Sequence, residues 1–374
     1  MRIAIVTESF LPTINGVTNS VLRVLDFLDA YGHEALVIAP QAKGAPSSYL
    51  DFRVKHVPSF NPKKFIPVGF PKLSLKHFIE GFQPDVLHLA SPALLGGYAS
   101  RVARELEIPT VSIYQTDVSG FAKHYGFTIG SEGFNRALAR IHSNTTRTLA
   151  PSNSAMSILK KLGTDNVFLW QRGVDSVRFH PEKRDESLRT SWGSPDKKII
   201  GYVGRLAAEK SLEDLIWIHN RKDLQLIIVG DGPNADKLKT KLPHAKFLGH
   251  QSGDDLAKCH ASFDIFIHTG KYETFCQSIQ EALSSGVPVI APQSGGPMDL
   301  IQDGINGSFY PPEKPWEIND VLDQLLSSDQ DSLSFSARES VLNRDWESIN
   351  KELIDHYRAA IRAKQLSLST QGVA

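Results

Sequence analysis

The chain has 374 residues, more than the roughly 100–200 of a typical domain, so two domains are expected. Its 41 Lys and Arg balance 41 Asp and Glu to a formal net charge of zero, which argues against a general nucleic-acid binder. Two cysteines, Cys259 and Cys276, cannot build a disulfide framework, and no CxxC or HExxH spacing marks a metal site, so a reducing compartment and no metal are expected.

The N-terminal "MRIAIVTESFLP" carries an apolar run too short for a signal-peptide core. No stretch approaches the ~18 consecutive apolar residues of a membrane span, so the protein is expected to be soluble or to rest on a membrane without crossing it. Four short apolar runs then read as strands: Ile3–Val6, Ala35–Pro40, Asp85–Ala90 and Thr110–Gln115. A charged, turn-rich segment, His180–Lys198, interrupts the series. Four more runs follow it: Ile199–Gly204, Leu224–Gly230, Phe263–Thr269 and Pro288–Pro292. Continuous apolar strands belong to parallel sheets covered on both faces. Helical patterns lie between them, such as Asn19–Tyr31, where Val21, Val24, Leu25 and Leu28 share one face. This alternation predicts two doubly wound α/β domains joined near residues 170–196, followed by a helical tail over Leu342–Gln365.

In open α/β sheets ligands bind beyond the carboxyl ends of the strands, and between two such sheets the cleft is the expected site. The first loop, "TESFLPTINGVTNSV", sets Gly16 before a helix, either as a phosphate-binding amide or as a turn glycine. It contains no GxGxxG or GxxxxGK[ST] pattern. "GYVGRLAAEK" brings Arg205 and Lys210 after a strand, a forked donor and a point charge suited to a diphosphate, or else two surface charges. "GDGP" and "SGGP" are glycine turns that permit close ligand approach or simply turn the chain.

The segment "KYETFCQSIQEALSSGVP" holds Glu273 and Glu281. Thr274 and Gln277 have capping-box spacing, which places a helix start near Phe275, and Gly286 with Pro288 ends the helix. The amides of Phe275 and Cys276 would then be open to a ligand. Glu281 lies about 12 Å further along at ~1.5 Å per residue. That length suits a sugar, a diphosphate over the helix tip and a ribose, although a capping residue and a solvated charge would look the same. Gln115, Thr116 and Asp117 end an apolar strand and face the expected cleft, Asp117 as a general base or as a turn cap. "VPSFNPKKFIPVGFPKLSLKHF" mixes Lys63, Lys64, Lys72 and Lys76 with aromatic residues, the composition of a membrane-surface contact or of a loop with its rings packed inward.

Gly16, "GRLAAEK" and the E-x7-E pair together resemble the retaining glycosyltransferases of family 4. The resemblance covers essentially the whole chain, including "RGVD", "GDGP", "SGGP" and "DGING". More narrowly, "TESFLP", "NGVTNSV", "LASPALLGG", "YQTDVSGFA" and "ETFCQSIQEA" resemble the actinobacterial GDP-mannose-dependent α-mannosyltransferases that act on glycolipids such as glucuronosyl diacylglycerol. It implies a GT-B fold: an acceptor domain over 1–170, a nucleotide-sugar domain over 171–344, and a helix over 345–374 returning to the first domain. It also implies that Arg205 and Lys210 bind the diphosphate and stabilise the leaving nucleotide, with Glu273 beside the sugar. Phe275, Cys276, Gln277 and Ser278 would line the sugar and phosphate, Glu281 would hold the ribose, and Gly16 would approach the diphosphate. No cofactor is implied, GDP-mannose being a substrate, and the acceptor would be a diacylglycerol-type lipid at the inner face of the cytoplasmic membrane.

Two departures from the family pattern stand out. Gln115 replaces a common histidine and cannot take up a proton. Cys276 replaces the glycine of E-x-F-G. Both also occur in the mannosyltransferase group. Other donors (UDP-glucose, UDP-sulfoquinovose), a phosphatidylinositol mannoside acceptor, and a non-catalytic nucleotide-sugar sensor are the alternatives.

Overall fold

The computed structural model describes residues 1–60, 68–69, 73–90, 92–115, 131–193 and 196–371. The chain forms two units: the first ends at Gln171 and resumes at Glu347, and the second is Arg172–Trp346.

The first unit holds β1 (Arg2–Thr7), β2 (Glu34–Pro40), β3 (Ser48–Tyr49), β4 (Phe52–Val57), β5 (Ser59–Phe60), β6 (Val68–Gly69), β7 (Val86–Ala90), β8 (Thr110–Ile113), β9 (Arg147–Ala150) and β10 (Val167–Leu169). Eight of them form one sheet in the order β10-β9-β8-β7-β1-β2-β4-β3, parallel except for the β3–β4 pair. The central strands are apolar throughout because helices cover both faces; Ile3, Ala4, Ile5 and Val6 are all buried. The Gly16–Ala30 helix contributes Val21, Val24, Leu25 and Leu28 to this core, as the periodicity predicts.

β1 lies between β7 and β2, so the loops leaving β1 and β7 are neighbours. Glu8, just after β1, accepts hydrogen bonds from the amides of Ala93 and Gly96 at 2.8 and 2.9 Å. Its carboxylate thus caps the positive end of the Leu94–Glu105 helix. Burial raises the Glu8 pKa, against the opposing pull of those amides.

The second unit holds β11 (Lys198–Val203), β12 (Leu224–Val229), β13 (Lys246–Gly249), β14 (Ile265–Ile267), β15 (Val289–Pro292) and β16 (Gly307–Tyr310). They form one parallel sheet in the order β13-β12-β11-β14-β15-β16, the strand order of a dinucleotide-binding fold.

The last helix, Trp346–Gln371, packs Ile349, Leu353, Ile354, Tyr357 and Ala360 into the core of the first unit. Trp170 Nε1 donates to the Ile349 carbonyl at 2.8 Å, and Asn350 Nδ2 to the Arg23 carbonyl at 3.1 Å. The Tyr357 hydroxyl and His88 Nδ1 share a buried hydrogen bond of 2.5 Å. Burial pushes the His88 pKa down to about 3, so this is a bond between neutral groups.

Among the described residues, no helix is long and apolar enough to cross a membrane. Of the basic and aromatic segment, Lys63, Lys64, Phe65, Ile66, Phe70 and Lys72 lie outside the described residues. Within them Phe78 packs against the core, Lys76 pairs with Glu105 at 3.2 Å, and Phe60 is exposed.

Replacing Tyr357 with Phe strands the His88 Nδ1 atom in the core and is expected to cost about 1–3 kcal/mol. The measurement is the urea midpoint of the first unit's unfolding transition; an unchanged midpoint would show that the bond contributes nothing.

Candidate functional site

In the second sheet the chain runs outward from β11 to β12 and β13, then crosses back to β14 on the other side of β11. At such a reversal the loops leaving the two inner strands lie side by side. The β11 loop carries Arg205 and Lys210; the β14 loop carries His268, Glu273 and Cys276. Lys210 Nζ forms a short ion pair with Glu273 Oε1. Thr269 Oγ1 donates to the Lys210 carbonyl at 2.6 Å and ties one loop to the other. His268 Nε2 lies 3.2 Å from the same Glu273 oxygen, at ion-pair distance but out of line for a hydrogen bond. His268 Nδ1 is 3.6 Å from Cys276 Sγ, which in turn is 3.5 Å from Ser278 Oγ. The Tyr202 ring stacks on the imidazole at 6.3 Å between centroids and 11° between planes.

The charges in this cluster support one another against burial. Burial by itself would raise the Glu273 pKa, but Lys210 and His268 outweigh it and hold the carboxyl well below its ordinary range. Burial opposes a charge on Lys210, and Glu273 more than restores it, leaving the pKa raised. Burial likewise lowers His268, while Cys276 and Glu273 lift it to about 9. The site therefore presents a fixed carboxylate flanked by two cations. Sequence analysis missed His268, whose one signal is a polar residue ending an apolar strand five positions before Glu273.

The capping box does not form. The helix runs Gln277–Ser284 and begins at Cys276, whose φ of 85° is left-handed, with no side chain capping it. The reason lies in "SGGP": Gly296 N donates to the Glu273 carbonyl at 2.7 Å. A Cβ on Gly296 would fall 2.4 Å from the Phe275 backbone. Residues 273–275 are thus held as a loop against those glycines, and Glu273 precedes the helix, so the 12 Å rise counted along it does not apply. Gln277 instead donates to the Gly173 carbonyl at 3.0 Å. The end of the helix is as expected, with Gly286 at φ 70°, and Ile279, Ala282 and Leu283 form its buried face.

Arg205 is on the β11 loop with its side chain 47% exposed, 3.7 Å from Glu209 Oε1. Glu281 is on the inner part of the helix, its Oε2 3.6 Å from Nε2 of the fully buried His260. Phe275 is buried. Gly16 is the first residue of its helix, but the amides that follow are not bare: the Asn15 side chain accepts from Val17 and Thr18, each at 3.0 Å. Gln115 follows β8 and is partly buried, whereas Thr116 and Asp117 lie outside the described residues. Among the described residues, His268, Glu273 and Cys276 could together approach a metal, with donor atoms within 4.8 Å of one another. A divalent cation there would have to displace the Lys210 ammonium from Glu273.

Two Rossmann-like units, the second carrying a buried basic–acidic cluster at its switch point, define a glycosyltransferase of the GT-B fold. The model for glycosyl transferases group 1 matches residues 184–340, and that for Glycosyltransferase Family 4 matches residues 14–178. A GDP-mannose-dependent alpha-mannosyltransferase of Corynebacterium glutamicum is 44% identical over 98% of this chain and 90% of its own length. One of Mycolicibacterium smegmatis is 46% identical over 98% and 99%. The crystal structure of Anabaena Alr3699/HepE in complex with UDP shares the fold at a TM-score of 0.78, covering 96% of this chain and all of that one at 19% identity. The chain belongs to glycosyltransferase family 4.

The raised His268 pKa has a consequence for stability. Folded at about 9 against 6.5 unperturbed, the imidazolium contributes fully below about 6.5, and its contribution is lost as pH rises through about 9. Glu273 has the opposite sign: its contribution is present above 4.5 and is lost only in strong acid. The melting temperature of the second unit is therefore expected to fall as pH is raised from neutrality through about 9, and His268→Gln is expected to flatten that slope. Calorimetry of both proteins across this range is the check; equal slopes would assign the loss to other groups.

Proposed function

We propose that this enzyme transfers mannose from GDP-mannose to a hydroxyl of a diacylglycerol-type glycolipid, with glucuronosyl diacylglycerol as the acceptor type. Transfer proceeds with retention, without a metal, at the inner face of the membrane. The observation that carries the reading is the Lys210–Glu273–His268 cluster, with Arg205 on the same loop. The two actinobacterial relatives, both GDP-mannose-dependent, support the donor, and the sequence motifs support the lipid acceptor.

In this reading the half-exposed Arg205 guanidinium meets the diphosphate with two parallel donors, and Lys210 adds a point charge. Glu273, fixed by its cations, accepts from sugar hydroxyls, while the backbone of Phe275, Cys276 and Gln277 and the Ser278 hydroxyl border the sugar and phosphate. Glu281 takes the ribose hydroxyls, and Gly16 approaches the diphosphate. Gln115 offers a hydrogen bond to the transferred sugar. The bond from the anomeric carbon to the diphosphate breaks and GDP departs. The acceptor oxygen bonds to the same face of that carbon, and its proton passes to a β-phosphate oxygen. The protein's part is positioning and charge stabilisation.

Arg205→Ala is expected to lower turnover about 100-fold by removing one preorganised donor to the leaving group. A near-normal rate in the purified enzyme would remove Arg205 from the mechanism. In a thermal-shift panel, GDP and GDP-mannose are expected to stabilise the protein; stabilisation by UDP but not GDP would overturn the mannosyl assignment. Activity abolished by EDTA would overturn the metal-independent mechanism.

A further inference from the structure

Behind the two glutamates, eight residues apart, stand two buried histidines with the same separation, His260 and His268. We propose that they are positioning residues for the E-x7-E pair: His268 sets Glu273 at the sugar end, and His260 sets Glu281 at the ribose end. This rests on the nucleotide-sugar reading of the site.

His268 and Lys210 both approach Oε1 of Glu273. Two cations on one oxygen fix the carboxylate plane and direct Oε2 to a sugar hydroxyl. The imidazole is itself held from behind by the Tyr202 ring and on its far side by Cys276 Sγ. Gly270 leaves room for the pair, since a Cβ there would lie 2.8 Å from both Glu273 Oε1 and His268 Nε2.

His260 closes the helix Gly253–Ala261 and is 0% exposed. Neither ring nitrogen has a hydrogen-bond partner. Its ring is wedged among Phe179, Phe263 and Phe266, with centroids at 5.5, 6.0 and 5.5 Å. These rings fill space without satisfying a nitrogen, and a buried polar atom left unpaired is costly. Nε2 is 3.6 Å from Glu281 Oε2, so a few tenths of an ångström of carboxylate movement completes a bond. That movement accompanies Glu281 engaging a ribose.

The test is a pair of double-mutant cycles, read by GDP affinity in calorimetry and by GDP-mannose turnover. His268→Leu is expected to lower kcat about 10- to 100-fold by letting the Glu273 carboxylate shift from its place, while the GDP Kd stays within about 2-fold. The same change adds little in a Glu273→Gln background, and His268→Gln restores part of the loss. His260→Leu is expected to weaken GDP itself about 5- to 10-fold and to add little to Glu281→Gln. Should His268→Leu not fold, Gly270→Ala carries the first cycle, because its methyl group pushes against both Glu273 Oε1 and His268 Nε2 without removing the imidazole from the core. Additive effects, or wild-type kcat and GDP affinity in the histidine variants, would overturn the proposal alone. Wild-type protein that binds no GDP would remove the nucleotide-sugar reading and this inference with it.

Discussion

The ion pair between Lys210 and Glu273 is the constraint on which the second unit depends. It joins loops from β11 and β14, strands that neighbour in the sheet but stand more than sixty residues apart in sequence. A carboxylate only 16% exposed is tolerable because two cations reach it; left with an unmatched charge, such a pair costs roughly 3–5 kcal/mol. The surroundings follow from that requirement. Thr269 fastens the two loops, Tyr202 backs the imidazole, and the paired glycines of "SGGP" hold the Glu273 backbone in place.

The helices beside the inner strands differ in how they begin. In the first unit, both helices that begin beside β1 receive acceptors from the chain itself: Asn15 for one, Glu8 for the other. In the second unit, the helix that starts at Gln277 has no side-chain cap and opens from a left-handed cysteine. Positive helix ends attract anions. The chain's own oxygens meet that attraction at those two helices, whereas the Gln277 helix receives no such acceptor from its N-cap residue.

Much of this was legible in the sequence. All eight expected strands exist, because strands buried on both faces read as unbroken apolar runs. β4 is absent from the expected strands because it is not an unbroken apolar run: Arg53 and Lys55 are exposed between buried residues, the alternation of a half-buried strand. β9, β13 and β16 are four residues each and carry polar residues, Arg147 and Thr148, Lys246, and Ser308, that break the apolar run. Arg205, Lys210 and Glu273 could be picked out by their place after strands. The T-x-x-Q spacing misled, because a tertiary contact with Gly296 overrode the local capping preference. His260 had no signal of its own and His268 only its place at the end of an apolar strand, since their role depends on which carboxylate folding brings within reach.

One arrangement ties the site to the chain's path. Gln277 donates to the Gly173 carbonyl and Gln280 to the Arg172 carbonyl, the first residues after the chain enters the second unit. The departing chain runs alongside: Val174 N donates to the Arg344 carbonyl at 2.8 Å, and Gly173 has no room for a Cβ beside Trp346. Entrance and exit are thus stitched together and moored to the helix that carries Glu281. The helix that carries Glu281 and the tethers of its unit form a single mechanical root.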